Sequence, residues 1–258
     1  MPPELPFTAH RAEGPVRAGI PEHGRVPRYY AVKAVLVELI EQLGEGTMVP
    51  PERELAERFA VSRVTLRQAV GELVMEGRLF RRQGSGTFVA PPKLVRPMAV
   101  AGYSEGMHGQ GVVAGWSPIT VEHLPADESL AAELGIPTAS AVVHIERVLL
   151  ADDDRVGLES TYLSAARFPT LLDEFDSRGS LCACLRERFG VVFAEAEERV
   201  ETVLATPREA LLIGTNPALP MLLMHRVSRA PDGSPIERVR SLFRGDRFSF
   251  VARLRSER

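Results

Sequence analysis

Apolar residues recur at helical spacing from residue 30 onward. Val32, Val35, Leu36, Leu39, Ile40 and Leu43 fall on one face, with Lys33, Glu38 and Glu41 between them. Gly44 and Gly46 end this segment. Pro51 suits the first turn of a second helix, and Glu52 and Glu54 complement its positive end. Leu55, Ala56 and Phe59 give that helix a short apolar face. After a tight connection at Ala60–Val61, Ser62 is placed to cap a third helix running from about Arg63 to Glu76. Its inner stripe is Leu66, Ala69, Val70, Leu73 and Val74, and Gly77 stops it. Two short helices with so brief a break form a helix-turn-helix arrangement.

A strand pattern follows. Leu79 and Phe80 lead into Arg81–Arg82, Gln83 to Gly86 make a turn, and Thr87, Phe88 and Val89 return. This hairpin with a glycine-rich tip is a wing. Pro91 and Pro92 close the segment, and 91–97 reads as a linker. Beyond it, strand patterns at 119–124, 141–150, 157–163, 195–204, 221–230, 236–243 and 248–253 are interspersed with short helices at 127–134, 181–189 and 207–212. Pro231-Asp232-Gly233 makes a hairpin turn. The order predicts a two-domain α+β chain. Residues 27–90 form a winged helix-turn-helix, and 98–256 form a domain on a mostly antiparallel sheet. Residues 1–26, rich in Pro, Gly and charge without periodicity, read as a disordered tail.

Composition narrows the function. The 258 residues carry a formal net charge of -3, but the balance is positive over 25–93 and negative over 94–258. A mildly basic first domain and an acidic second suit a split of labour. Cys182 and Cys184 lie too close together for a disulfide framework and lack the second pair of a zinc site. His108, His123, His144 and His225 have no mutual spacing that suggests catalysis or metal binding. There is no Ser-His-acid pattern and no phosphate loop, so neither an enzyme, a metal nor a cofactor is expected. Apolar runs fall short of a membrane span, which makes the cytoplasm the expected location.

A helix entering a DNA major groove needs long donors at its N-terminal end. Arg63, Thr65, Arg67 and Gln68 supply them, and Arg63 and Arg67 share a face. Guanine edges or nearby phosphates are their expected targets. Ser62 and Thr65 are candidate phosphate contacts, and Arg53 is placed to meet the backbone at the groove's edge. In the wing, Gly84 and Gly86 allow close backbone approach to the minor groove, with Arg81 and Arg82 beside them. Surface ion pairs with Glu52, Glu57 or Glu72 are the competing role for any one arginine. One small domain buries too little surface for a tight specific complex, so a homodimer on a double-stranded operator is expected.

The stretch PPERELAERFAVSRVTLRQAVGELVMEGRLFRRQGSGTFV resembles the GntR family of bacterial regulators. The C-terminal region resembles the UTRA effector domain of the HutC subfamily, through YSEGMHGQG at 103–111, IERVLL at 145–150, GLESTYLSAARFP at 157–169, LATPREALLIG at 204–214 and RSLFRGDRFSFVARL at 240–254. Within the subfamily it looks most similar to the DasR-type N-acetylglucosamine regulators. The resemblance implies a homodimeric repressor with a chorismate-lyase-like α+β domain, whose effector changes the spacing of the DNA-binding heads. The implied effector is a phosphorylated amino sugar such as glucosamine-6-phosphate. It also implies Arg147, Glu159, Ser180 and Glu237 as effector-binding residues.

Several positions depart from that pattern. Leu149 stands where a second phosphate-binding arginine is expected, Gly102 for a serine, and Cys182 and Phe243 for tyrosines. Leucine offers none of the donors a buried phosphate needs. An altered ligand, or a regulator with a degenerate pocket and no effector, are therefore the alternatives. Taken without the resemblance, Arg147 and Glu159 sit on adjacent strands and would equally serve as a cross-strand ion pair.

Overall fold

The structure, a computed structural model, describes residues 28–82, 84–100, 102–108 and 110–254. The segment read as a tail and the wing residue Gln83 lie outside these. The N-terminal head consists of α1 (Arg28–Leu43), α2 (Glu52–Arg58), α3 (Arg63–Met75) and the hairpin β1 (Leu79–Arg82) and β2 (Gly86–Val89). The apolar stripes close on one core: Val32, Leu36 and Ile40 of α1 meet Leu55 and Ala56 of α2 and Leu66, Ala69, Val70 and Leu73 of α3. Lys33 adds a tie, bonding Glu72 at 3.0 Å and Glu76 at 2.5 Å. Between α2 and α3 the chain turns at Ala60, whose φ is 51°.

The C-terminal domain is built on a six-stranded antiparallel sheet. Its strands are β4 (Ala114–Pro125), β5 (Ala141–Ala151), β6 (Asp154–Ser164), β7 (Glu195–Leu204), β8 (Pro220–Arg229) and β9 (Pro235–Arg244). Their order is β4-β5-β6-β9-β8-β7. β4, β5, β6 and β9 are longer than their patterns predict, β7 coincides with its pattern and β8 is shifted by one residue. The highly charged β7 is stable as a strand because it lies at the sheet's edge, pairs only with β8, and can keep glutamates in water.

Period-two alternation sorts side chains onto two covered faces. On one face, Val148, Leu158, Leu223 and Leu242 pack under α8 (Pro207–Ile213), and Val142 packs under α5 (Glu128–Leu134). On the other, Val143 and Ile145 pack with Leu171 of α6 (Leu171–Glu174) and with Leu181 and Leu185 of α7 (Leu181–Phe189). Further along that face, Leu149 and Phe243 pack with Tyr103 and Met107 of α4 (Tyr103–Met107). A polar band lies between these two apolar clusters and holds the pocket described below.

The segment read as a linker is not a free tether. Residues Leu94–Pro97 form strand β3, paired in parallel with β10 (Phe248–Val251). Parallel pairing with a strand some 150 residues away leaves no local periodicity to detect. The Gln110 side-chain amide bonds both the N–H and the carbonyl of Val95, at 2.8 Å each. Lys93 donates to the Gly245 carbonyl at 2.6 Å, and the Leu94 N–H donates to that of Arg247 at 2.8 Å. The same β9–β10 turn carries the head: at Gly77, just past α3, a β-carbon would fall 1.9 Å from the Asp246 carbonyl oxygen. Arg244 holds Asp246 with two bonds, at 3.1 and 2.7 Å.

Candidate DNA interface and ligand pocket

Helix α3 begins with a local cap. The Ser62 Oγ accepts the Thr65 N–H at 3.1 Å and lies 2.8 Å from the Thr65 hydroxyl, so the pair starts the helix. This fixes the start of the helix, from whose first two turns Arg63 and Gln68 project into solvent. Arg53 on α2 is exposed as well, and neither Arg53 nor Arg63 has an ion pair among the described residues. Arg67 differs: its Nε donates to Glu52 at 3.2 Å, and Glu52 also meets Arg81 at 3.4 Å. Glu52 thereby ties α2, α3 and the wing together, and of the two arginines on one face only Arg63 is left uncommitted. Arg82 lies over the rings of Phe88, at 5.3 Å, and Phe80, at 6.0 Å, which orders it along the wing.

Gly84 and Gly86 are exposed at the wing tip with φ of 74° and 124°. Glycine suits them first because the turn requires positive φ. Val64 was not singled out from the pattern, yet it is 78% exposed beside Arg63. The signal was available: it lies off the Leu66–Ala69–Val70–Leu73 stripe and is apolar, a side chain suited to a thymine methyl.

In the second domain, Arg147, Glu159, Ser180 and Glu237 all line one small cavity, of about 30 Å³. Each is placed by a simple local cause. Arg147 on β5 is directly opposite Glu159 on β6, and its Nη2 donates to that carboxylate at 2.7 Å. Its Nη1 donates to the Gly179 carbonyl at 2.8 Å, while Trp116 and Phe175 lie 5.2 and 5.4 Å from the guanidinium. Ser180 caps α7, accepting the Ala183 N–H at 3.3 Å. Glu237 is fully buried on β9 and accepts from the Ser228 hydroxyl at 3.0 Å. Burial outweighs the neighbouring arginine charges and raises its carboxyl above the usual range.

Among the further lining residues that the pattern does not reveal are Arg96, Tyr103, Trp116 and Arg226. Arg226 pairs with Glu198 on β7, its Nε donating at 2.7 Å. Arg96 comes from β3, is 4% exposed and lies 3.6 Å from the same carboxylate. Burial, with the Arg226 charge beside it, lowers Arg96 to about 10. Three guanidinium groups thus face Glu159 and Glu198, with the Glu237 carboxyl biased towards its neutral form. Two buried donors at the cavity, Arg147 Nε and Trp116 Nε1, have no partner.

The departures from the subfamily pattern fall into two groups. Leu149 and Phe243 are buried in the apolar cluster beside the cavity and do not line it. Gly102 and Cys182 touch: a β-carbon on Gly102 would meet the Cys182 Sγ at 3.0 Å. Burial raises the Cys182 thiol strongly, so it stays protonated.

A capped helix-turn-helix with a wing, joined to a sheet domain with a buried polar pocket, defines the class of a DNA-binding regulator with a ligand-type domain. Comparison with known proteins agrees. Residues 28–89 match the model for bacterial regulatory proteins of the gntR family, and 109–249 match the UTRA domain. The chain is 42% identical over 228 residues to the HTH-type transcriptional repressor PhnF of Mycolicibacterium smegmatis, covering 88% of this chain and 93% of that one. It is 33% identical to the HTH-type transcriptional repressor NagR of Bacillus subtilis, covering 88% and 94%. The crystal structure of PhnF from Mycobacterium smegmatis matches with a TM-score of 0.65 at 42% identity, covering 88% of this chain and all of that one. The chain belongs to the GntR family and carries a UTRA domain. It is a DNA-binding transcriptional regulator and not an enzyme. No helix among the described residues is long and apolar enough to cross a membrane.

Proposed function

We propose that this chain is a homodimeric, cytoplasmic repressor of the HutC type that binds a two-half-site operator and is controlled by a small effector in the pocket around Arg147. In this reading residues 27–90 are the DNA-binding head and 98–256 the effector-binding and dimerisation domain. Arg63 reads a base edge in the major groove, with Gln68 and Arg67 beside it. Arg53, Ser62, Thr65, Arg82, Gly84 and Gly86 position the backbone. Arg147, Glu159, Ser180 and Glu237 contact the effector.

The observation that carries effector control is the pair of buried donors, Arg147 Nε and Trp116 Nε1, without partners at the cavity. An unsatisfied buried donor costs about 1–3 kcal/mol, and a ligand rich in acceptor oxygens removes that cost. The three guanidinium groups at the cavity favour a ligand with anionic oxygens, of which a sugar phosphate is one kind. A cavity of about 30 Å³ admits a water and no sugar, so the effector must open the pocket.

A second reading is a regulator without an effector. It is favoured by the Gly102–Cys182 contact in the cavity wall, where the subfamily pattern has a serine and a tyrosine. Calorimetric titration of the full chain with glucosamine-6-phosphate separates the two. Saturable binding that is lost in Arg147→Met supports the sugar phosphate. An absence of binding by it and by a panel of small anions supports the second reading.

A further inference from the structure

We propose that Arg96 is an effector-contacting residue supplied by the connection between the domains, and that it couples the pocket to the DNA-binding head. This rests on the effector reading above. The cavity's walls are unequal. Arg147, Glu159, Arg226 and Glu237 stand on strands locked into the six-stranded sheet by long ladders. Arg96 stands on β3, which is outside the six-stranded sheet and is held by a four-residue pairing with β10 and by the Gln110 side chain. A cavity of this size must widen to admit any metabolite, and the weakly held wall yields first.

That wall is also the road to the head. Arg96 is held between Phe243 at 5.4 Å and Phe250 at 5.7 Å, with Glu198 at 3.6 Å. Phe243 and Phe250 stand on either side of the β9–β10 turn. This turn accepts the Lys93 and Leu94 hydrogen bonds and seats Gly77 at the end of α3. An anionic ligand that draws Arg96 away from Glu198 moves β3, loosens its pairing with β10 and unseats the head. The seated head leaves Arg53, Arg63 and Gln68 exposed and is the form that binds operator. A loosened head must be ordered again on DNA, which weakens binding.

The test uses the full chain and an operator duplex obtained by in vitro selection with the wild type. Without any effector, Arg96→Met weakens operator binding about tenfold, and Arg96→Lys, which keeps the charge, recovers part of the loss. Val95→Thr, on the solvent side of the same strand, serves as control and stays within about twofold. Melting temperature is read alongside, since a merely structural arginine lowers it and leaves the affinity of the folded fraction unchanged. Should Arg96→Met fail to fold, Arg96→Lys against the control carries the comparison. In wild type, glucosamine-6-phosphate and, separately, inorganic phosphate are added and amide exchange is followed at residues 94–96, where a bound ligand speeds it. Operator affinity within about twofold of wild type in both Arg96 variants overturns the proposal, as does a bound ligand that leaves β3 exchange unchanged. If neither compound binds, the effector-contact half of the proposal fails together with the sugar-phosphate and phosphate readings, and the variant comparison decides the coupling of Arg96 to the head.

Discussion

Replacing Arg147 with methionine tests the pocket's energetics most sharply. The side chain is 2% exposed and its partner Glu159 is 14% exposed, so the pair sits at the dry end of the scale. The substitution removes the 2.7 Å bond to Glu159, the 2.8 Å bond to the Gly179 carbonyl and the guanidinium lying against Trp116 and Phe175, and keeps only the aliphatic stem. Breaking one side of a buried pair costs about 3–5 kcal/mol, mostly because the other charge stays buried and alone. Glu159 keeps some access to the cavity, which places the expected loss near the lower end, about 3 kcal/mol. Glu159→Gln should cost a similar amount by stranding the guanidinium. The double variant Arg147→Met/Glu159→Gln strands neither charge and should lose well under the sum, a coupling of about 2 kcal/mol. Urea unfolding at neutral pH measures all four corners. Trp116 is the chain's one tryptophan and lies 5.2 Å from the guanidinium, so its fluorescence reports this domain. A loss below about 1 kcal/mol for the single variant, or simple additivity in the double, would refute the reasoning.

Three further expectations follow from particular contacts. Gly77→Ala places a β-carbon 1.9 Å from the Asp246 oxygen at a φ of 72°, so it should cost more than about 1 kcal/mol and raise protease cleavage near 91–93; an unchanged melting point and digest would contradict the seating of the head. Glu237 has a raised carboxyl pKa, so the folded chain holds its proton more tightly than the unfolded chain, and wild-type stability falls as pH climbs above 4.5 towards the raised value. Glu237→Gln removes that slope, so its melting temperature relative to wild type should rise with pH, and a constant difference would show that Glu237 ionises normally. Arg82→Ala should weaken binding to selected and unrelated duplexes alike and reduce the salt slope by about 1, whereas a sequence-dependent effect would make Arg82 a base reader.

The head was legible because its signals are local. The α3 stripe, the Ser62 cap and the glycines of the wing each sit within one element, and each is where its spacing predicts. What the pattern could not resolve was which arginine stays uncommitted, because Glu52 reaches Arg67 from 15 residues away. The pocket was legible only in part. Arg147 and Glu159 were readable as cross-strand neighbours, and they do pair. Arg96 was invisible, since β3 exists only through its pairing with a strand near the other end of the domain. Short α4 and α6 were missed for a similar reason: five and four residues hold no full helical period, and packing against the sheet stabilises them. Leu149 and Phe243 looked from sequence like losses from the site, whereas in the fold they belong to the apolar cluster beside it.

The most direct test of the whole account is equilibrium binding of the full chain to the selected operator and to a scrambled duplex, with Arg63→Ala in parallel at fixed salt. Wild type is expected to prefer the operator by about a thousandfold or more, and Arg63→Ala to lose about 1–3 kcal/mol on the operator with little change on the scrambled duplex. Equal affinity of wild type for both duplexes, or an Arg63→Ala loss of the same size on each, would contradict it.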